Sequence, residues 1–234
     1  MPRALVKVLA HTPDPERAVA VAARLCYSPR SVETLSDSLT GAEIASLIDK
    51  IVEMGHYSPL EHAVFTFGID NISRACSHQL VRHRVASYSQ QSQRYVKLDK
   101  VSAIVPPSIE ADHEAKSLFE EKLRELWAFY SELVERGVAP EDARYILPNA
   151  CETKIIVTMN ARELHHFFAL RLCHRAQWEI RDMALEVYKA IAPIAPGLFK
   201  GAGPGCVKGA CPEGEYSCGR AKEVRAELSQ AVPA

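Results

Sequence analysis

One window of the sequence carries cations without neighbouring acids. Residues 71–98 contain no aspartate or glutamate, yet they include five basic residues, Arg74, Arg82, Arg84, Arg94 and Lys97. Guanidinium groups bind phosphate oxygens through paired hydrogen bonds, and hydroxyl groups such as those of Ser87 and Ser92 add donors. The window therefore predicts a site for a phosphorylated ligand, with ion pairs to distant acids or a solvated face as the alternative. It has no Gly-rich phosphate loop, which argues against Rossmann and P-loop folds.

Arg171 is a further cation in an unusual place. It follows Leu164 by seven residues, so both side chains project from nearly the same face of the helix predicted around them. A guanidinium on an apolar helix face is costly unless it meets acceptors or negative charge. Two interpretations fit equally well: an arginine that extends to the surface or pairs with an internal glutamate, and a cation that meets an anionic ligand.

The sequence does not indicate a nucleophile. Ser92 has no histidine–aspartate pair spaced to activate it, so its hydroxyl is expected to bind phosphate instead. Three cysteines are flanked by ordinary core residues: Cys76, Cys151 and Cys173. Such thiols are more often structural than reactive.

The remaining candidates are metal ligands. Cys206, Cys211 and Cys218 are spaced five and seven residues apart, without the tight CxxC pairs of zinc modules. We expect a disordered tail or a redox-sensitive lid there, and no metal. His165 and His166 are adjacent and would point about 100° apart on a helix, which makes them a poor chelating pair.

The elements that must position these residues alternate between strands and helices. Alternating apolar residues predict strands over residues 4–10, 63–69 and 151–159. Capping residues, among them Thr40 with Glu43 at capping-box spacing, and helical periodicity predict helices over 13–26, 40–55, 73–84, 109–136 and 160–191. Polar connections are predicted over 28–38 and 87–94. The predicted fold class is α/β (α+β): one domain over residues 1–200, with a mixed sheet and two long helices, and a Gly/Pro/Cys-rich tail over 201–234.

Composition excludes several classes of protein. The chain has 234 residues and a formal net charge of −1, so its surface as a whole is not built for nucleic acid or an anionic membrane. No stretch approaches the ~18 uncharged apolar residues of a membrane helix, and a signal-peptide pattern is missing. Seven cysteines, an odd number, indicate buried thiols in a reducing cytoplasm.

A longer motif surrounds the basic window. Residues 82–87 read Arg-His-Arg-Val-Ala-Ser, and Ser92 and Arg94 follow. This arrangement resembles the defining motif of the flavin-dependent thymidylate synthases. Residues 55–62 and 65–67 resemble the family's upstream segment, and residues 143–148, 160–167 and 170–171 resemble its downstream ones. The resemblance covers roughly residues 1–200.

The resemblance implies an enzyme, a methyltransferase that converts dUMP to dTMP as a homotetramer with sites shared between subunits. Methylenetetrahydrofolate supplies the carbon, and NADPH supplies electrons through bound FAD. Arg171 matches the residue used against the uracil ring, where a fixed cation stabilises negative charge as the imide ionises and makes C5 more nucleophilic. His56 resembles a histidine linked to folate and NADPH handling.

The resemblance also implies two sets of ligand contacts. For FAD they are Ser58, Arg82, His83, Arg84, Gln90, Asn160, Ala161, Arg162 and His166. For dUMP they are Gln79, Leu80, Val81, Arg82, Gln90, Gln91, Ser92, Gln93, Arg94, Arg144 and Arg171. Gln90 stands where some members carry an acid, so a contact there would be neutral. His166 occupies a position that is Asn elsewhere, which leaves its protonation state open.

A binding module that grips RNA phosphates is the rival hypothesis from another class. Such a site normally adds aromatic residues that stack on bases, and only Tyr88 and Tyr95 are available in the basic window. We therefore expect neither nucleic acid nor membrane as a partner.

Overall fold

A four-stranded sheet forms the centre of the fold. The structure is a computed structural model and describes residues 4–96 and 102–231. The strands are β1 (Leu5–His11), β2 (Val64–Ser73), β3 (Ala86–Gln90) and β4 (Glu152–Asn160). They lie in the order β1-β2-β4-β3, and every pair is antiparallel. The α+β class is confirmed, and the sheet predicted as mixed is antiparallel over the described residues.

One face of the sheet is buried because apolar residues alternate along its central strands. Phe65, Phe67 and Ile69 of β2 are buried, and Phe67 pairs with Val157 of β4. Since side chains on a strand point to alternate faces, these residues share one face. The buried face and the helices packed against it form one hydrophobic cluster.

Eleven α-helices surround the sheet in the described residues. They are α1 (Pro15–Leu25), α2 (Val32–Ser38), α3 (Gly41–Glu53), α4 (Arg74–Leu80), α5 (Pro107–Glu110), α6 (His113–Glu135), α7 (Pro140–Ala143), α8 (Ala161–Arg171), α9 (Trp178–Ile191), α10 (Pro196–Phe199) and α11 (Ala221–Ala231). The predicted capping box of α3 is confirmed: the Glu43 amide donates to Thr40 Oγ1 over 3.3 Å, and the Thr40 amide donates to the Glu43 carboxylate over 2.9 Å. No helix of the described part is long and apolar enough to cross a membrane.

The helix predicted over residues 73–84 is shorter, and a strand follows it. It ends at Leu80, and β3 begins six residues later, within a segment predicted as a connection. The Tyr88 hydroxyl lies 2.9 Å from the Leu80 carbonyl and 2.7 Å from the His83 carbonyl, which satisfies the end of the helix. The strand escaped prediction because it is an edge strand whose Ser87 and Ser89 are exposed.

The second predicted long helix, over residues 160–191, is two helices. The first ends at Arg171, and the next begins at Trp178. The amides of Glu179 and Ile180 donate to the Gln177 side chain, each over 3.1 Å, which caps the second helix. Glutamine is not among the residues that usually mark a helix start, so the sequence does not signal this break.

Two other segments differ from expectation. The connection over residues 28–38 contains a helix, α2, whose start is capped by Ser31. The long helix predicted over 109–136 begins at His113, and its apolar stripe is mostly solvent-accessible: Tyr130 is its one buried residue, while Leu118 is 60% exposed. A helix with an apolar face that the fold leaves uncovered is typical of an interface.

The C-terminal segment over residues 201–231 is folded onto the rest of the protein. Val224 and Leu228 of α11, together with Cys206, belong to the main hydrophobic cluster. Disorder is therefore the wrong description of this part of the tail. The sequence hid this packing because the segment before α11 contains only two short 3₁₀ turns, Gly205–Val207 and Gly214–Tyr216.

Candidate active site

A tight turn carries the Arg-His-Arg sequence between α4 and β3. Arg82 and Arg84 are exposed, whereas His83 between them is 3% exposed. The side chains of both arginines have no partner among the described residues. The helix predicted over residues 73–84 would place Gln79 and the Arg-His-Arg residues on one helix. Because α4 ends at Leu80, the Arg-His-Arg residues lie outside it and do not share a helix face with Gln79. The turn instead presents two free cations around a buried imidazole.

His83 lies between a carboxylate and a guanidinium group. Its Nδ1 lies 3.2 Å from Glu163 Oε1, and its Nε2 lies 3.0 Å from Arg171 Nε. Arginine only donates, so Nε2 accepts and Nδ1 carries the proton that it donates to Glu163. Burial, with the charges of Arg171 and His166, lowers the pKa of His83 to about 4. Burial raises the pKa of Glu163. The imidazole is therefore neutral, with one tautomer selected by its two partners.

Arg171 makes no ion pair with a carboxylate in the described residues. It is the last residue of α8, and besides the contact with His83 it has one long contact, 3.4 Å from Nη2 to the Gln79 carbonyl. Burial lowers the pKa of this guanidinium. Of the interpretations left open by the sequence, the pair with an internal glutamate is wrong, because Glu163 binds His83 instead, and the side chain is half-buried and not fully exposed at the surface. The half-buried positive charge of Arg171 therefore faces two neutral acceptors, the His83 ring and the Gln79 carbonyl.

A cleft of about 820 Å³ adjoins this group. Asn160, Arg162, Glu163 and His166 line it at the start of α8. The Asn160 side chain caps that helix, accepting from the Glu163 amide over 2.9 Å. Further lining residues come from other elements: Tyr57, Glu61, Val85, His165, Ala169, Gly201, Gly203, Pro204, Gly205 and Lys208. The cleft thus combines a helix N-terminus and basic side chains, which suit anionic groups, with aromatic and apolar walls.

Arg74, Arg94 and Arg144 form a second cluster of arginines. Arg94 Nε donates to the Glu141 carboxylate over 2.7 Å, and Arg144 Nε donates to the Glu141 carbonyl over 3.0 Å. Ser92 Oγ accepts from the Arg94 amide over 3.0 Å. Burial and the nearby charge of Arg144 lower the pKa of Arg74, whose guanidinium has no partner among the described residues. Three guanidinium groups against one carboxylate leave a surplus of positive charge.

The comparisons with known proteins agree with this arrangement. A family model described as thymidylate synthase complementing protein matches residues 7–197. Three similar relatives each bear the name flavin-dependent thymidylate synthase. They come from Geobacter sulfurreducens (55% identical, covering 94% of this chain and 96% of the relative), Clostridium tetani (48%, 94% and 95%) and Sulfolobus acidocaldarius (46%, 86% and 78%). The chain belongs to this family.

The residues expected from the family resemblance divide between the two clusters. His83, Asn160, Arg162, His166 and Arg171 gather at the cleft, and Ser92, Arg94 and Arg144 gather at the second cluster. Helix α4 and strand β3 both run from one cluster toward the other. Since a strand rises ~3.3 Å per residue, the five residues of β3 span roughly 13 Å.

The glutamines expected to bind dUMP lie between the clusters. Gln79 Nε2 donates to the Gln177 side chain over 3.4 Å. Gln90 Nε2 donates to Ser77 Oγ over 2.9 Å and to Thr153 Oγ1 over 3.1 Å, so its amide nitrogen is committed within the fold. The Gln91 amide donates to the Lys154 carbonyl, which continues the ladder past β3.

Several expected residues stand apart from these contacts. His56 and Ser58 are exposed beside Tyr57 and do not line the cleft. Leu80 and Ala161 are buried, so only their backbones could meet a ligand. Val81 is exposed. Gln93 is half-buried, and its side chain makes no hydrogen bond in the described residues. Lys97 of the basic window lies outside the described residues.

The structure adds residues that the family motif did not indicate. Glu163 selects the tautomer of His83, and Arg74 joins the second cluster. A surplus of charge in the sequence window pointed to Arg74, but nothing in the sequence connected Glu163 to a histidine eighty residues away.

Three of these residues also approach the spacing of metal ligands. One ligand atom from each of His83, Glu163 and His166 lies within 4.8 Å of the other two. Both ring nitrogens of His83 are already hydrogen-bonded. A metal at Nδ1 would replace the proton that points to Glu163, and a metal at Nε2 would displace Arg171. The hydrogen-bonded arrangement therefore competes with metal binding here.

Proposed function

We propose that this protein methylates dUMP reductively to dTMP, with methylenetetrahydrofolate as carbon donor and NADPH as the source of electrons. The flavin cofactor of the family is FAD. The observation that carries the proposal is Arg171, whose half-buried charge is held by neutral acceptors at the edge of the cleft. A cation kept free of carboxylates is available to a substrate that becomes anionic.

The cleft fits FAD. Its volume of about 820 Å³ accommodates a large cofactor. Asn160 and Arg162 at the N-terminus of α8, together with Lys208, would hold the phosphates, and His166 and the apolar wall would contact the rings. Arg162 is paired with Glu61 over 2.5 Å, and Arg82 and Arg84 provide two cations beside the cleft that have no partner among the described residues. When bound, flavin supplies hydride for the reduction of the transferred carbon.

The second cluster would bind the phosphate of dUMP. Arg94, Arg144 and Ser92 are the residues that the family motif assigns to the nucleotide, and Arg74 adds a guanidinium without a partner in the described residues. The roughly 13 Å spanned by β3 would separate the side chains that bind the phosphate from those that meet the base. The uracil would then lie near Gln79 and Arg171.

Arg171 would act on the N3–O4 edge of the uracil. It stabilises the negative charge that develops when the imide loses its proton, which makes C5 a better nucleophile without a covalent activator. His83 fixes the guanidinium by accepting from Nε, and it does so as a neutral base that adds no competing positive charge. Nη1 has no partner among the described residues and remains available to the ring.

We also propose a homotetramer in a reducing cytoplasm, with active sites shared between subunits. Helix α6 leaves Leu118 and Phe129 exposed, and Tyr95 and Tyr145 next to the second cluster are more than 80% exposed. A neighbouring subunit would cover these residues and complete the site. All seven cysteines are free thiols, which supports the cytoplasmic location.

The test is anaerobic formation of dTMP from dUMP by FAD-loaded protein with methylenetetrahydrofolate and NADPH. Omission of any component should abolish the product. Arg171→Gln should lower turnover by about 10²-fold or more while FAD absorbance is retained. The matched control is Arg30→Gln, an exposed arginine in the loop before α2. Absence of dTMP with the complete mixture would overturn the proposed activity, and full turnover by the Arg171 variant would overturn the role assigned to Arg171.

A further inference from the structure

Four thiols gather where the C-terminal segment meets the end of α8. Cys206, Cys211 and Cys218 belong to the segment, and Cys173 lies in the loop between α8 and α9; all four are free. Cys206 is buried in the hydrophobic cluster, and Cys211 packs against the same cluster. In agreement with this placement, burial and then the charges of Cys211, Cys173 and Cys218 raise the pKa of the Cys206 thiol.

Independent contacts bring the same two stretches of chain together. Arg175, two residues after Cys173, forms an ion pair of 2.9 Å with Glu213, two residues after Cys211. The Arg175 guanidinium also lies 5.8 Å from the centre of the Tyr216 ring, two residues before Cys218. The loop that carries Cys173 is therefore fastened against the stretch that carries Cys211 and Cys218.

A third set of contacts fixes the turn around Cys206. Arg225 of α11 donates to the Cys206 carbonyl over 2.8 Å and to the Gly209 carbonyl over 2.6 Å. Cys206 is also packed into the hydrophobic cluster. The backbone on both sides of the buried thiol is thus anchored from the helix that follows.

The segment between these anchors has little else to order it. Its regular structure consists of the two 3₁₀ turns, and most residues from Gly209 to Arg220 are exposed. Gly203, Gly214 and Gly219 adopt positive φ, so the chain turns repeatedly without building a core of its own. Segments of this kind are usually ordered by a cross-link or a structural metal.

We propose that Cys173, Cys206, Cys211 and Cys218 together bind one structural zinc ion. Four thiolates in a tetrahedron are a complete ligand set for Zn²⁺, and such soft donors disfavour Mg²⁺ and Ca²⁺. On binding, each thiol releases its proton to solvent and forms one Zn–S bond, without any change in oxidation state. The sequence alone predicted no metal because the tail lacks the tight CxxC pairs of zinc modules, and Cys173 joins the other three only in the fold.

Binding would tighten the cluster. Among the described residues, no three of these sulfur atoms lie mutually within 4.8 Å, whereas sulfurs bound to one zinc at ~2.3 Å are closer than that to each other. The glycines at positive φ let the loop bring the sulfur atoms closer together. Two disulfides are the competing arrangement, and the thiol titration described below distinguishes them from a bound metal.

The site would connect the tail to the active-site cleft. Gly201, Gly203 and Gly205 line the cleft just before Cys206, and Lys208 lines it just after. Cys173 lies two residues beyond Arg171. An ion that clamps these two thiols together would hold one wall of the cleft and the end of α8 in fixed positions.

The test is the metal content of the purified full-length protein, measured by mass spectrometry after expression in zinc-supplemented medium. We expect about one zinc per chain in the wild type, and at least a tenfold loss in Cys211→Ser and in Cys218→Ser, which remove half-buried donors. Cys26→Ser, at an exposed thiol outside the cluster, is the matched control and should retain the metal. Replacement of zinc by Co²⁺ should give the visible absorption of tetrahedral cobalt thiolate.

Four results would overturn the proposal. They are a wild type without zinc after supplementation, equal zinc in the Cys211 and Cys218 variants, iron with sulfide in place of zinc, and a thiol titration of the unreduced, unfolded protein that finds only three reactive cysteines. The last result would identify two disulfides. Because these measurements count metal and thiols, their outcome is independent of whether the protein forms dTMP.

Discussion

Replacing His83 with glutamine tests whether the imidazole at the centre of the site is neutral and makes hydrogen bonds through both ring nitrogens. Folding lowers the pKa of His83 from 6.5 to about 4. Between these pH values the unfolded chain takes up a proton that the folded protein refuses. The contribution of His83 to the free energy of unfolding is therefore fully present above pH 6.5 and is lost as the pH falls toward 4.

The magnitude follows from the two pKa values. At pH 8 neither state of His83 is protonated, so the contribution to the pH dependence is close to zero. At pH 5 the unfolded histidine is almost fully protonated and the folded one is not, which lowers the free energy of unfolding by about 2 kcal/mol relative to pH 8. Glutamine does not titrate, and its carbonyl oxygen can still accept from Arg171.

The assay is urea unfolding of flavin-free protein at pH 8 and pH 5, at one protein concentration. Wild type should lose about 2 kcal/mol more than His83→Gln over this interval. His165 and His174, whose pKa values burial also lowers and which do not contact His83, remain in both proteins and cancel in the comparison. His113→Gln, at an exposed histidine, should behave as wild type. Equal losses in wild type and His83→Gln would refute the lowered pKa and the neutral state assigned to His83 in the folded protein.

Three further outcomes follow from single contacts. Arg74→Ala should raise the dissociation constant for dUMP by about 10-fold or more, measured by calorimetry, because it removes an unpaired half-buried guanidinium from the second cluster; unchanged affinity would exclude the residue from the site. Glu179→Gln should lower the free energy of unfolding by about 2 kcal/mol, because the buried carboxylate accepts hydrogen bonds from both the amide and the hydroxyl of Ser73, each over 2.6 Å. A loss below about 0.5 kcal/mol would contradict this, since an unsatisfied buried group costs at least about 1 kcal/mol. Thr40→Ala should cost about 1 kcal/mol in the same urea assay, while equal stability would mean that the capping box is not maintained in solution.

The elements that the sequence predicted well are those whose signals are local. Alternating Val, Ile and Phe residues identified β2 and β4, and the pair Thr40 and Glu43 identified the start of α3. The end of α4 was not predictable in this way, because it depends on a hydroxyl from Tyr88 that reaches back to the Leu80 carbonyl. Local patterns cannot report a contact that exists only once the sheet has formed.

The candidate site divides along the same line. Residue types and motif spacing indicated Arg82, Arg94 and Arg171 because a guanidinium in an unexpected context is visible in the sequence. The acceptors were not visible: the carbonyl of Gln79 and the ring of His83 meet Arg171 from about ninety residues away. Which of several arginines becomes unpaired is decided by tertiary packing.

The position of Arg171 explains how a guanidinium can be half-buried and still keep its charge available. It ends α8, and its Nη2 approaches a carbonyl near the end of α4, so it lies where the negative ends of two helices meet. These partial charges offset part of the cost of removing the cation from water. A carboxylate in the same place would offset more of that cost but would neutralise the field that a substrate experiences. Glu163 is instead separated from Arg171 by His83, so the acid orients the imidazole, the imidazole orients the guanidinium, and the positive charge remains for the ligand.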